Sequence, residues 1–395
     1  MRSLYKSVKE GGMWRTMSEE FKAIFSDGGA LLLLGFAMMI YTIIYSVAYG
    51  AEVVREIPIV VVDEDRSATS RRLSHGLDNG PDTWVAYEAE SMHAARELLY
   101  RGDVFGIVNI PHGFEADILS GEASSVALIL DGSHLLLYSH MLEQALSDVL
   151  TTGAMVEAGR IMASGGSDIE AEAIASPITM NVEMLFNPSL GYGAFVMPSI
   201  LVVIIQQSML LGIAMLAIRS ARCRKESATC SPIVVIVSKI LVYIAIYAIN
   251  LIVILGIVWP CFDFPYLANT LDVALLLFIY MVATASLGLA IAHLFRRRET
   301  PIMVLLWSSI PILLLAGISY PREAFPEWMY AMGRILPSSS AVDAFIQLCT
   351  MGASLRDILP ELLTLTALAV AYLCCAIIIE SYTSNRKKKR FGSSM

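Results

Sequence analysis

Six intervals of this chain contain no Asp, Glu, Lys or Arg: 28–51, 184–218, 240–262, 273–295, 300–321 and 362–379. Each is built mostly of Leu, Ile, Val, Ala, Met and aromatic residues. A helix that crosses a bilayer needs roughly 20 such residues, so this pattern predicts six membrane spans. Only 16% of the chain is charged, against about 25% in soluble domains. An ordinary soluble enzyme, a disordered chain and a collagen-like fibre are all excluded. The first interval starts too late and runs too long to be the apolar core of a cleaved signal peptide.

The segments between the spans set the expected orientation. Residues 1–27 hold Arg2, Lys6, Lys9, Arg15 and Lys22. The second span is followed by Arg219, Arg222, Arg224 and Lys225, the fourth by Arg296, Arg297 and Arg298. The tail 386–395 holds Arg386, Lys387, Lys388, Lys389 and Arg390. Residues 260–272, in contrast, have no basic residue at all. The positive-inside rule then places both termini in the cytoplasm, and six spans agree in parity with termini on the same side. Residues 52–183 fall outside. They carry seven arginines, no lysine and 22 acidic residues, a net charge of −15.

The outer segment alternates short apolar runs with helical patterns. Strands are expected at 57–62, 83–88, 104–110 and 125–130. Helices are expected from an N-cap at Ser67 to Leu77, and over 91–101, 112–120 and 134–163. Residues 164–180 read as a linker. Such alternation predicts an α/β layer inserted between the first two spans. His75, His93, His112, His134 and His140 all lie here, but none has HxH or HxxxH spacing and no cysteine accompanies them, so no metal site is expected. GxSxG is absent, and no catalytic residue is assigned.

GxxxxGK[ST], GxGxxG and HExxH are absent too, and no nucleic-acid motif is present. Any energy for transport must come from a partner subunit or an ion gradient. Lys239, His293 and Glu380 lie toward the ends of spans rather than at the midplane. That disfavours an ion-driven carrier, which relies on a central ionisable group. Lys239 is expected to snorkel to the headgroups. Gln206, Gln207 and Asn250 are neutral polar groups within spans, placed either for interhelical hydrogen bonds or along a translocation path. Before the first span, Met17, Phe21, Ile24 and Phe25 recur at near-helical spacing, with Trp14 a turn earlier and Glu19, Glu20 and Lys22 between. This predicts an amphipathic surface helix in 1–27, serving as a lipid anchor or a partner-binding site. Cys261 and Cys349 both fall on the outer side, where pairing is open to them.

This order of parts resembles the permease subunits of the ABC type-2 transporter family, in particular exporters with a large extracytoplasmic domain after the first span. Four stretches carry the resemblance: PIVVVDEDRSATS at 58–70; Gly106, Ile110-Pro111, Phe114, Gly121 and Asp131-Gly132 within 106–131; FNPSLGYGAFVMP at 186–198; and GISYPREAFPEWMYAMGRILP at 317–337. The family's cytoplasmic Glu-Arg-Glu-x-Gly-Thr loop reads RSARCRKESATCS here, at 219–231, with Ala228 in the glycine position.

The resemblance implies an α-helical integral membrane protein of the bacterial inner membrane. It would have six spans, with helices 2–6 within 184–385 and residues 52–183 periplasmic. It implies a separate ATPase subunit holding ATP and Mg, and a second copy or a paralogous permease. A membrane-fusion adaptor and an outer-membrane channel are further partners it implies. ATPase coupling would run through Trp14, Phe21, Arg222, Arg224, Lys225 and Glu226. An outer gate would lie in 317–345 at Tyr320, Pro321, Pro326, Trp328 and Pro337. An apolar or amphiphilic substrate would move outward. The alternative class is a membrane-anchored receptor or structural protein whose outer domain binds a partner without transport.

Overall fold

The structure, a computed structural model, describes residues 12–50, 54–175, 185–187, 191–223, 231–295, 297 and 299–392. The chain separates into two compact units, residues 53–183 and the remainder. The elements of the first part of the larger unit are α1 (Gly12–Phe25) and α2 (Gly28–Tyr49), the latter carrying a π turn at Leu32–Phe36. Asp27 starts α2 by accepting from the amides of Gly29 and Ala30, which satisfies donors that a helix start leaves orphaned.

The smaller unit runs β1 (Ile57–Asp63), α3 (Ala68–Asn79), β2 (Thr83–Glu88), α4 (Met92–Arg101), β3 (Gly106–Ile110), α5 (Phe114–Ser120), β4 (Ala127–Leu130), α6 (Leu135–Ala163) and α7 (Asp168–Ala175). Its sheet order is β2-β1-β3-β4. β1 pairs parallel with β2 and β3, and β4 closes one edge antiparallel to β3. β1 is central and buried on both faces, which is why IPIVVV is apolar throughout rather than alternating. Ile57, Ile59 and Val61 pack with Leu73, Leu77 and Met141 on one face. Val60 and Val62 pack with Ala95 and Ile107 on the other.

The strands and helices follow the sequence expectations closely. Ser67 does cap α3, accepting from the Ser70 amide. The linker expected at 164–180 instead contains α7, which Ser167 opens with a reciprocal Ser167–Glu170 bond pair. The Asp-Glu-Asp turn is a hydrogen-bond hub. Asp63 accepts from the amides of Asp65 and Arg66 and from the Ser70 hydroxyl. Asp65 reaches across to the amides of Gly113 and Glu115, capping α5 from a distance. Gly106 is closely packed: a Cβ there would lie 2.9 Å from Leu130 Cδ2 and 3.2 Å from Met141 Sδ.

The larger unit resumes with α8 (Tyr192–Cys223), α9 (Pro232–Cys261, with a π turn at Ile254–Val258), α10 (Thr270–Ala292) and α11 (Glu299–Leu315). A 3-10 turn (Arg322–Ala324), α12 (Glu327–Ile335), α13 (Pro337–Cys349) and α14 (Leu359–Gly392) complete it. Five of these helices are long and apolar enough to cross a membrane: α2, α8, α9, α10 and α14. The remaining expected span, the fifth in chain order, is α11, which has 17 residues. It rises about 25 Å at 1.5 Å per residue, just under the ~30 Å apolar thickness of a bilayer. Gly317, at φ +83°, ends that helical run.

α8 is the centre of the unit, with 78% of its apolar window buried. It packs on α2, α10, α11 and α13. Small residues permit the close approaches, as expected for helices without a hydrophobic drive between them. Cys261 is exposed and Cys349 buried, and both are free thiols.

Candidate functional site

Three places in the larger unit gather the polar groups that its apolar helices would otherwise exclude. The first is where α1 meets α9. Glu20 is 4% exposed, and its carboxylate takes Lys239 Nζ at 3.0 Å and the Tyr243 hydroxyl. Lys239 and Tyr243 are one helical turn apart, so both project toward α1. Lys239 therefore does not snorkel to a headgroup: it is 7% exposed and held in an ion pair. Glu20 turns inward, with Ile24 and Met17 packed beside it in the core. Trp14 is 76% exposed and Phe21 48% exposed. The outward ridge of α1 is thus aromatic, and its one buried carboxylate joins it to α9. Arg222 lies on the last turn of α8. Arg224, Lys225 and Glu226 lie outside the described residues.

The second place is a cleft of about 360 Å³ between α2, α8 and α11. From α2 come Leu33, Ala37, Tyr41 and Tyr45, spaced four apart on one face. From α8 come Ile200, Ile204 and Ser208 at the same spacing, with Val203, Gln207 and Leu211 beside them. α11 adds Leu305, Ser309 and Leu313. Against these mostly apolar walls lies one side-chain amide without a partner. Both Gln207 Nε2 and Oε1 are buried and find no hydrogen-bond partner among the described residues. The Ser208 hydroxyl is engaged by Tyr247 at 2.8 Å.

Gln206 points elsewhere. It is fully buried, and its Oε1 accepts from the Ser338 amide at 2.9 Å, at the start of α13. Asn250 Nδ2 donates to Ile246 O of its own helix. Of the three span amides singled out in the sequence, Gln207 alone lines the cleft.

The third place is the segment after α11. Pro321 opens the 3-10 turn, Pro326 caps α12, and Pro337 is the first residue of α13. A helix tolerates proline at its start because the missing N–H is an orphan there anyway. α12 and α13 are thus separate helices broken at Leu336. Tyr320 and Trp328 are exposed, at 56% and 65%, whereas Pro337, Ser338, Ser339 and Ser340 are buried. Tyr320 stacks on Phe325. The Ser339 hydroxyl donates to Leu315 O at 3.1 Å, tying α13 to the end of α11. With 13 residues, α13 reaches only about 20 Å, yet α8, α10 and α14 surround it. Its serines gave no apolar signal in the sequence. A run of small side chains before Val342, Phe345 and Leu348 was the only trace of its burial.

A family model described as ABC-2 family transporter protein matches residues 29–378. The chain is 22% identical over 377 residues to the inner membrane transport permease YhhJ of Escherichia coli (strain K12), covering 91% of this chain and 94% of that protein. It is 20% identical over 355 residues to the probable multidrug ABC transporter permease YbhR of the same strain, covering 87% and 91%.

Proposed function

This chain belongs to the ABC-2 transporter family and is the membrane subunit of an ABC transporter; from that premise we propose that it is the permease of an exporter. It moves an apolar or amphiphilic substrate outward on ATP hydrolysed by a separate subunit. The observation that carries this reading is the cleft between α2, α8 and α11. Its walls suit an apolar body, and the unpartnered Gln207 amide offers one donor and one acceptor to a polar head. Binding sites combine these two features, apolar walls for affinity and few polar groups for orientation.

In this reading α11 is the fifth of six spans, both termini are cytoplasmic and residues 52–183 are periplasmic. The cleft is partly open in one chain, and a second permease closes it. The ridge of Trp14 and Phe21 and the loop 219–231 receive the ATPase. The ion pair of Glu20 and Lys239 passes its movement to α9. Segment 317–345 forms the outer gate, and an adaptor and outer-membrane channel engage the periplasmic unit.

The test is gentle purification of the full chain from its native membrane, followed by reconstitution with whatever ATPase accompanies it. A P-loop ATPase at near-equal yield is expected. So is ATP hydrolysis stimulated by amphiphiles, with the stimulation lost in Gln207→Leu. No ATPase after crosslinking would replace this reading with a receptor.

A further inference from the structure

A second cavity, of about 590 Å³, lies among the 3-10 turn, α12, α13 and the start of α14. Its volume is in the ordinary range for small-molecule sites, about 300–1,000 Å³. Phe325 and Tyr330 supply ring surface, and four ionisable groups face the space: Arg322, Glu327, Asp343 and Glu361. One cation against three carboxylates leaves the lining negative.

The cation is already engaged. Arg322 is ion-paired with Asp343, and its guanidinium carbon sits 6.0 Å from the Tyr330 ring centroid. Glu361 differs. It is partly buried, and its Oε2 is shut off from solvent without a hydrogen-bond partner among the described residues. A carboxylate oxygen removed from water and left unpaired is costly, a cost that a ligand carrying positive charge and N–H or N–CH₃ groups would relieve. Among the described residues no three His, Cys, Asp or Glu side chains are grouped to hold a metal ion. The Tyr330 ring already draws two guanidinium groups, the Arg322 and Arg334 carbons each lying 6.0 Å from its centroid, and a carboxylate beside such a cation-attracting ring matches an organic ammonium, which is attracted to both.

We propose that this cavity binds the ammonium head of an amphiphile, with Glu361 as its counter-ion and Tyr330 and Phe325 as its aromatic wall. The inference goes beyond the exporter reading, rests on it only for the outward position of the cavity, and is tested without ATP.

The test is calorimetric titration of the purified full chain in dodecyl maltoside with dodecyltrimethylammonium. Saturable binding is expected, weakened about tenfold in Glu361→Gln and less in Glu361→Asp. Dodecyl sulfate should show no binding that depends on Glu361. Tyr330→Leu alters an exposed residue and should weaken binding about threefold, so the test survives if a Glu361 variant fails to fold. Competition by free ethanolamine would identify a soluble amine as the natural source, and competition by phosphatidylethanolamine alone a lipid head. Either outcome supports an ammonium site. Equal binding by wild type, Glu361→Gln and Tyr330→Leu would overturn the proposal, as would equal displacement by dodecyl sulfate. Such a failure leaves the exporter reading untouched, because ATPase association does not involve this cavity.

Discussion

Lys239 and Glu20 form a buried ion pair, Nζ to Oε2 at 3.0 Å, that joins the surface helix α1 to α9. The Tyr243 hydroxyl donates to the same carboxylate. Few other charged groups of the larger unit are so enclosed, and the pair links an exposed aromatic ridge to an apolar helix.

Removing one member of such a pair leaves the other charge buried, at a cost of about 3–5 kcal/mol, whereas replacing both with apolar groups is often neutral. Lys239→Met and Glu20→Gln are each expected to lower the thermal midpoint of the detergent-purified chain. The double variant Glu20→Leu/Lys239→Met should recover most of that loss. Thermal unfolding monitored by size-exclusion fluorescence measures this. If the double variant is as unstable as the sum of the singles, the pair is not coupled.

Gln206 holds the start of α13 through the Ser338 amide at 2.9 Å. Gln206→Leu removes the acceptor and strands a buried N–H, costing about 1–3 kcal/mol. Gln206→Glu keeps the acceptor but buries a charge, and should cost at least as much. The expected readout is faster hydrogen exchange at the first turn of α13 in Gln206→Leu, with the exchange of α9 unchanged. Uniform destabilisation of both helices would refute a local latch.

The legible parts of the fold were those written in local chemistry. Ser67 announced α3 because an N-cap hydroxyl acts on an amide three residues away. IPIVVV announced a buried strand because both its faces are covered. The surface helix was legible as a helix, but the direction of Glu20 was not. Glu19, Glu20 and Lys22 look like one solvated face, and only the position of Lys239 on α9 turns Glu20 inward. α13 was hidden for the converse reason. Its serines carry no apolar stripe to mark burial, although small side chains are what let a short helix enter a bundle. Gln206 and Gln207 are neighbours in sequence, and the hundred-degree step between them on a helix sends one to α13 and the other into the cleft.

Acid should loosen the smaller unit at two carboxylates. A hydroxyl hydrogen bond from Ser67, with amide bonds from Glu115 and Gly113, holds Asp65 below the usual carboxylate range. Bonds from the Ser133 hydroxyl and amide, and from His134, bring Asp131 down to about 2. A depressed carboxylate stabilises the fold above its unfolded pKa, and that contribution is lost as pH falls through the folded value. The amides of Gly113 and Glu115, which Asp65 accepts from, should therefore lose exchange protection as the pH falls below about 4, the usual carboxylate range. Asp65→Asn should remove most of this pH dependence, and protection that still titrates in Asp65→Asn would rule Asp65 out as its source.

Gly212 on α8 sets how closely α2 approaches. A Cβ built at Gly212 would lie 2.4 Å from Leu34 Cγ, inside the π turn of α2. Leu34 is 1% exposed and has little room to move aside. Gly212→Ala is therefore an overpacking change, expected to cost about 1–3 kcal/mol despite alanine being the better helix former. Truncating the opposing side chain should make the space. In Leu34→Ala, adding Gly212→Ala is expected to reverse sign, restoring part of the stability that Leu34→Ala removes instead of costing more. A double-mutant cycle on thermal stability reads this directly, since contacting residues couple by about 0.5–3 kcal/mol. Because α2 and α8 also wall the cleft, Gly212→Ala should alter amphiphile-stimulated ATP hydrolysis as well, and Leu34→Ala should bring it back toward the wild-type response. Additive effects on both readouts would mean that Gly212 and Leu34 act independently.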